Sequence, residues 1–180
     1  MDDLWIFAYG SLIWDPGFAP ADRVPATLTG YRRSFCMKSV SYRGTPLDPG
    51  LVLALDTQEG ASCRGLALRV PGAQAAPVMG ALRARELNTS AYREMTLAVT
   101  LDDGRQVAAV TYVIDPGHDQ YCRHDPATQA AIIARSIGQR GPNRDYLFNT
   151  AAHLHALGIP DPDLADLVAR VRAMTGDPGP

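Results

Sequence analysis

The chain has 180 residues, 46% of them hydrophobic and 20% charged, and a formal charge of −2. These are ordinary globular proportions, and the length suits one compact domain with a sizeable core. The weak negative balance and the scattered Lys and Arg residues give no electrostatic footing to a nucleic-acid partner or a membrane surface, and no run approaches the ~20 apolar residues of a bilayer span.

The opening "MDDLW" is acidic where a secretory signal is basic. Cys36, Cys63 and Cys122 are odd in number and widely spaced, which argues for reduced thiols and a cytoplasmic location rather than a disulfide framework. Residues 4–9 predict a first strand. The run "LWIFAYGSLIW" then breaks at Gly10-Ser11 and turns apolar again at once. Such a break suits a turn whose N–H groups converge into a small anion-binding nest, with Leu12, Ile13 and Trp14 as its apolar floor. From Val24 to Tyr42 the alternating pattern predicts two strands or one long bent one, and "SYRGTPLDPG" at 41–50 predicts a loop. Strands follow at 51–55 and 63–70, then a helix over 73–87 with Pro77 in its opening turn. Residues 94–114 predict a β-hairpin turning at Asp103-Gly104.

Three further helices start at Asp125-Pro126, Gly141-Pro142 and Asp161-Pro162, each with Pro near the first helical position. In the last, Leu164, Leu167, Val168 and Val171 form an amphipathic stripe. The result is an α+β class, a small mixed β-barrel with an inserted helix and a helical C-terminal third. It is expected to be a single domain over residues 1–174, with a disordered tail over 175–180.

The familiar catalytic signatures are missing: G-x-S-x-G, a Walker loop, G-x-G-x-x-G and H-E-x-x-H. His118, Cys122 and His124 sit in "DPGHDQYCRHDP", which has the composition of a mobile loop and a candidate lid, and no metal is expected there. Ser11 has no base nearby in sequence, so its hydroxyl is expected to be structural rather than nucleophilic. Glu86 is more informative. Val78, Leu82 and Glu86 recur at i, i+4 and i+8 with Met79 beside them, so the helix carries its apolar face straight into a carboxylate, while Arg83 and Arg85 are expected to point elsewhere. Burial and the negative end of the helix dipole both raise such a carboxyl above its ordinary pKa. Two readings stay open on spacing alone: a buried Glu paired with Arg, or snorkelling at the helix end, and a functional acid/base.

Four blocks occur in order: "FAYGSLIW", "YRGTPLDPG", "RE" with Tyr92 six residues after Glu86, and "GQRGPNRDYL" at 138–147. Together they resemble the ChaC family of γ-glutamylcyclotransferases over nearly the whole chain. The resemblance implies a β-barrel with helices and an enzyme that splits glutathione into 5-oxoproline and cysteinylglycine without a cofactor. Carried over by position, the catalytic glutamate is Glu86 and the substrate-binding loop is Tyr9, Gly10, Ser11, Leu12 and Ile13. Tyr146 is added by its family position, and Arg43 as the expected partner of the glycine carboxylate of glutathione. Two positions depart from the family pattern, Tyr42 where His often precedes Arg-Gly and Leu51 where Arg often follows Pro-Gly. The expected partner is the small-molecule substrate alone, with the chain a monomer or weak homo-oligomer. The alternatives are a cyclotransferase for another γ-glutamyl amine or peptide, a non-catalytic binding module for γ-glutamyl metabolites, and a serine hydrolase built on Ser11.

Overall fold

The computed structural model describes residues 2–179, so Met1 and Pro180, the outer ends of the expected domain and tail, lie outside the described residues. The α+β class is what the sequence predicts: five long strands close into a barrel, and four helices accompany them. The strands are β1 (Leu4–Ala8), β2 (Asp22–Ser39), β3 (Gly50–Val70), β4 (Tyr92–Leu101) and β5 (Gln106–Ile114), in barrel order β1-β3-β2-β4-β5. The inserted helix α1 spans Gly72–Glu86, and the C-terminal helices are α2 (Pro126–Arg135), α3 (Asn143–Ala156) and α4 (Pro162–Thr175). A two-residue ribbon, β6 (Ile137–Gly138) against β7 (Gly141–Pro142), precedes α3.

Two compact units make up the chain: residues 1–33 with 55–119, and residues 34–54 with 120–180. In the first, β1 runs antiparallel to β3 (Leu4 opposite Val70) and parallel to β5 (Trp5 opposite Ala109), and this parallel pairing closes the barrel. The hairpin β4–β5 pairs from Tyr92↔Ile114 to Thr100↔Gln106. Its turn has Gly104 at φ +88°, the left-handed conformation that favours glycine. Alternating strand residues fill the interior, among them Phe7, Leu28, Leu55, Val99, Leu101 and Val113. In the second unit, α2, α3 and α4 pack on one another. The predicted stripe Leu164, Leu167, Val168 and Val171 is buried.

Several details differ from expectation. The strands at 51–55 and 63–70 are one continuous strand, β3. The polar stretch 57–60 that suggested a break is exposed, so neither face needs apolar residues, and Gly60 at φ +76° bends the strand without ending it. Residues Val24 to Ser39 lie in a single strand, one of the two arrangements expected for them. Pro77 sits inside α1 rather than in its opening turn, leaving the Ala73 carbonyl without its N–H partner. Pro142 caps α3 from outside while Asp125 and Asp161 cap α2 and α4 with their carboxylates. The segment expected to be a mobile loop is tied to β2 over 120–122: Lys38 N–H donates to the Gln120 carbonyl (2.7 Å) and Cys122 N–H to the Cys36 carbonyl (2.9 Å). The tail expected to be disordered is engaged as well, with Arg144 donating to the Asp177 carboxylate at 2.9 Å. Cys36, Cys63 and Cys122 are free and buried.

Candidate active site

β1 ends at Ala8, and the chain turns through Tyr9 and Gly10 into a short 3-10 turn at Ser11–Ile13. Leu12 and Ile13 are buried and anchor this turn to the barrel. Inside the turn, the amides of Ile13, Trp14 and Asp15 bond back to Gly10 and Ser11 carbonyls at 2.8–3.2 Å. Three other carbonyls of the segment are taken by arginines from two elements, β2 and α1. Arg33, buried on β2, donates through Nε to the Tyr9 carbonyl (2.5 Å). Arg23 donates to the Ile13 carbonyl (3.1 Å), and Arg85 to the Asp15 carbonyl (2.8 Å). The opening amides of the turn, at Ser11 and Leu12, have no helical partners because of their position at its start. The sequence pattern did not single out these arginines.

Gly10 is not in the left-handed region, and its angles (φ −138°, ψ −131°) also lie outside the extended and helical ranges. A Cβ at this position would meet no heavy atom within 4 Å. What glycine keeps here is clear space beside the turn.

Glu86 is the last residue of α1, on the face that buries Val78, Met79 and Leu82. Its side chain is 17% exposed. Burial raises its pKa, and the positive charge of Arg85 opposes that rise without cancelling it. Arg83 does point elsewhere, gripping Glu94 through two nitrogens at 2.7 and 2.9 Å. Arg85 does not: its Nε lies 3.3 Å from the Glu86 carboxylate, and its Nη2 donates to the Ser11 hydroxyl at 3.0 Å. Arg85 therefore brings the Ser11 turn and Glu86 together. Arg85 also lines a cavity of about 250 Å³ with Pro16, Gly17, Phe18, Pro77 and Val78. Behind Glu86, the buried Tyr112 hydroxyl donates to Glu94 (3.3 Å). Burial, then the charge and hydrogen bond of Glu94, then the charge of Glu86 hold that phenol protonated well above its ordinary range.

Tyr9, Gly10, Ser11, Leu12, Ile13 and Glu86 thus lie in one unit. The Tyr9 hydroxyl is used inside the core, donating to the Tyr112 carbonyl at 2.9 Å. Arg43 and Tyr146 lie in the other unit and are near each other, the guanidinium carbon 5.8 Å from the ring centroid. Arg43 Nη1 donates to the Arg140 carbonyl (2.8 Å) and the Pro142 carbonyl (3.1 Å), and the Tyr146 hydroxyl accepts from Leu53 N–H (3.2 Å). These bonds give Arg43 a structural task, holding the 140–142 segment. Of the two positions that depart from the family pattern, Tyr42 stacks under Arg140 at 4.1 Å, and Leu51 is buried with its amide and carbonyl both bonded to the Asn143 side chain.

The sequence signal for Arg85 was its place beside a core-facing Glu. For Arg33 it was a charge inside the apolar strand "YRRSFCM". Among the described residues no group of three or more His, Cys, Asp or Glu side chains is placed to hold a metal ion. No helix among them is long and apolar enough to cross a membrane.

The family model described as "ChaC-like protein" matches residues 4–174. A glutathione-specific γ-glutamylcyclotransferase of Escherichia coli (strain K12) is 36% identical over 97% of this chain and 75% of its own length. One from Schizosaccharomyces pombe is 34% identical over 94% of this chain and 92% of its own. In fold, the chain is similar to a crystal structure of a yeast γ-glutamyl cyclotransferase specific to glutathione, with TM-score 0.83 and 23% identity over 96% and 97% of the two chains. The barrel, the clamped turn after β1 and the core-facing glutamate at the end of α1 accordingly sit in a sequence that belongs to the ChaC-like family.

Proposed function

We propose that this chain is a glutathione-specific γ-glutamylcyclotransferase with Glu86 as its general acid/base. The observation that carries the mechanism is the Glu86 carboxyl, held on an apolar helix face with its pKa raised by burial, a rise opposed by the Arg85 charge 3.3 Å away. The substrate class is supported by the names of relatives that share more than a third of their aligned residues with it.

In a γ-glutamyl amide the α-amine is tethered to its own electrophile. Its nitrogen attacks the γ-carbonyl carbon, a five-membered ring forms, and the bond from that carbon to the cysteinyl nitrogen breaks. One proton leaves the attacking nitrogen and one reaches the departing amine, giving 5-oxoproline and cysteinylglycine with no water consumed. Well-oriented intramolecular attack reaches effective molarities of roughly 10⁵ M or more, so the protein needs no nucleophile of its own. What it must supply is an anion site for the α-carboxylate or developing oxyanion, which suits the turn amides at Ser11 and Leu12. It must also supply a group that accepts and returns a proton near neutral pH, which suits Glu86. The Ser11 hydroxyl accepts from Arg85 at the edge of this arrangement and is not bonded to a base. Three buried free thiols fit a reducing, cytoplasmic setting.

Incubation with glutathione should yield 5-oxoproline and cysteinylglycine in equal amounts. Release of free glutamate would instead identify a hydrolase, and no product would leave a binding module. A second substrate reading rests on Leu51 and Tyr42, which are taken up by the fold where the family pattern often has Arg and His. Faster 5-oxoproline release from another γ-glutamyl amine or peptide than from glutathione would favour it.

A further inference from the structure

Arg83 and Arg85 lie two residues apart on α1 and treat their carboxylates differently. Arg83 presents Nε and Nη2 together to both oxygens of Glu94, a bidentate pair that holds Glu94 below the usual carboxylate range. Arg85 gives each of its three nitrogens to a different group. Nη1 goes to the Asp15 carbonyl (2.8 Å), Nη2 to the Ser11 hydroxyl (3.0 Å), and Nε faces Glu86 Oε1 (3.3 Å). The guanidinium is planar and its nitrogens are fixed relative to one another. One rigid group therefore sets the spacing between the turn and the carboxylate.

We infer that Arg85 is a positioning residue that locks the Ser11–Asp15 turn to the Glu86 carboxylate. This rests on the reading of Glu86 as the acid/base. The division of its nitrogens explains why Arg85 does not silence Glu86. A bidentate grip like that of Arg83 would stabilise the ionised carboxylate strongly, whereas a single Nε at 3.3 Å leaves burial the larger influence. The other groups that bear on Glu86 are Tyr112 from β5, with Glu94 of β4 bonded behind it and neutralised by Arg83. On the turn side, the Asp15 carboxylate lies 3.9 Å from Arg85 Nη1. Arg85 lines one cavity with Pro16, Phe18 and Val78.

Arg85→Lys, Arg85→Ala and Ser11→Ala test this with glutathione as substrate, each followed by thermal melting and by kcat and KM across pH. A lysine keeps the positive charge but cannot span three partners, so Arg85→Lys should lower kcat while leaving the acid limb of the profile in place. Arg85→Ala should lower kcat further, by up to about 10²-fold, the scale of a small misplacement of reacting groups. It should also move the acid limb to higher pH, because the charge that favours ionised Glu86 is gone. Ser11→Ala should cost a smaller part of kcat in the parent and none when added to Arg85→Ala, since the two share one bond. If Arg85→Ala fails to fold, the Lys and Ser11 variants carry the same test. Folded Arg85 variants with kcat within twofold of the parent and an unmoved acid limb would overturn the inference. If Glu86→Gln measured alongside them also keeps its rate, the fault lies in the reading of Glu86 instead.

Discussion

The turn after β1 and the loop before β3 are both short, glycine-containing and met by arginine, yet they use that arginine for opposite ends. At residues 9–15 the guanidinium groups arrive from β2 and α1 and take the turn's carbonyls, and the nearby carboxylate of Glu86 receives only one of their nitrogens. At residues 40–49 the arginine belongs to the loop itself: Arg43 bonds two backbone carbonyls of the 140–142 segment and lies against Tyr146. The glycines match this division. A Cβ at Gly10 would meet open space, whereas one at Gly44, Gly50 or Gly138 would fall within 2.0–2.5 Å of neighbouring backbone. The first region is built with space and an incompletely neutralised charge, and the second is built tight. On the proposed function, chemistry belongs to the first, and the bonds of Arg43 give the second a part in the fold.

The comparison is broken most directly at Glu86. Glu86→Gln keeps the shape but cannot carry the proton, so turnover should fall by at least ~10²–10⁴-fold, the usual contribution of general acid–base catalysis, with folding intact. Its stability should follow pH in a stated direction. A carboxyl whose pKa is raised on folding binds more protons in the folded state than in the unfolded one between the two values. The parent therefore loses stability as pH rises from the ordinary carboxylate value through the raised one, and Glu86→Gln should lack that loss. Melting curves at several pH values check the slope, and a variant that melts lower than the parent at neutral pH would make Glu86 a structural partner.

Gly10 comes next. Because the fold has room for a side chain there, Gly10→Val should melt near the parent while losing activity on the order of 10²-fold, the scale of a displaced substrate. Equal loss of stability and rate would mean that glycine serves the backbone after all.

Arg43 sharpens the other half. Arg43→Ala removes bonds from a charged donor to two carbonyls, so stability should fall by about 1–3 kcal/mol. KM should rise equally for glutathione and for γ-glutamyl substrates that lack the glycine carboxylate. A selective rise for glutathione would restore a recognition role to Arg43. The smallest effect belongs to Ser11→Ala, which removes one side-chain hydrogen bond and should cost about tenfold in kcat or less. Complete loss of activity in the folded protein would instead make Ser11 a nucleophile.

Much of this was legible in the sequence, for identifiable reasons. Alternation located β1 and the β4–β5 hairpin, and Asp-Pro pairs located the starts of α2 and α4, because local rules suffice where a turn or cap is chemically specified. Helical spacing alone placed Glu86 on the buried face. The continuity of β3 was hidden because residues 57–60 are exposed and polar, and polarity signals a loop only when something would otherwise pack on the strand. The roles of Arg23, Arg33 and Arg85 were hidden for another reason. Arg33 and Arg85 reach residues 24 and 70 positions away in the chain, and no periodicity reports which carbonyl a long side chain will find.

Burial raises the Glu86 pKa, and on the proposed function this carboxyl exchanges the proton of the reaction. Selective carbon-13 labelling of glutamate, with Glu86→Gln to identify its signal, allows the carboxyl to be titrated by NMR in the free enzyme and set against the acid limb of kcat/KM for glutathione. The account predicts a Glu86 pKa above the ordinary carboxylate range that coincides with the acid limb. A Glu86 that titrates at the ordinary value, or an acid limb unrelated to its titration, would contradict it.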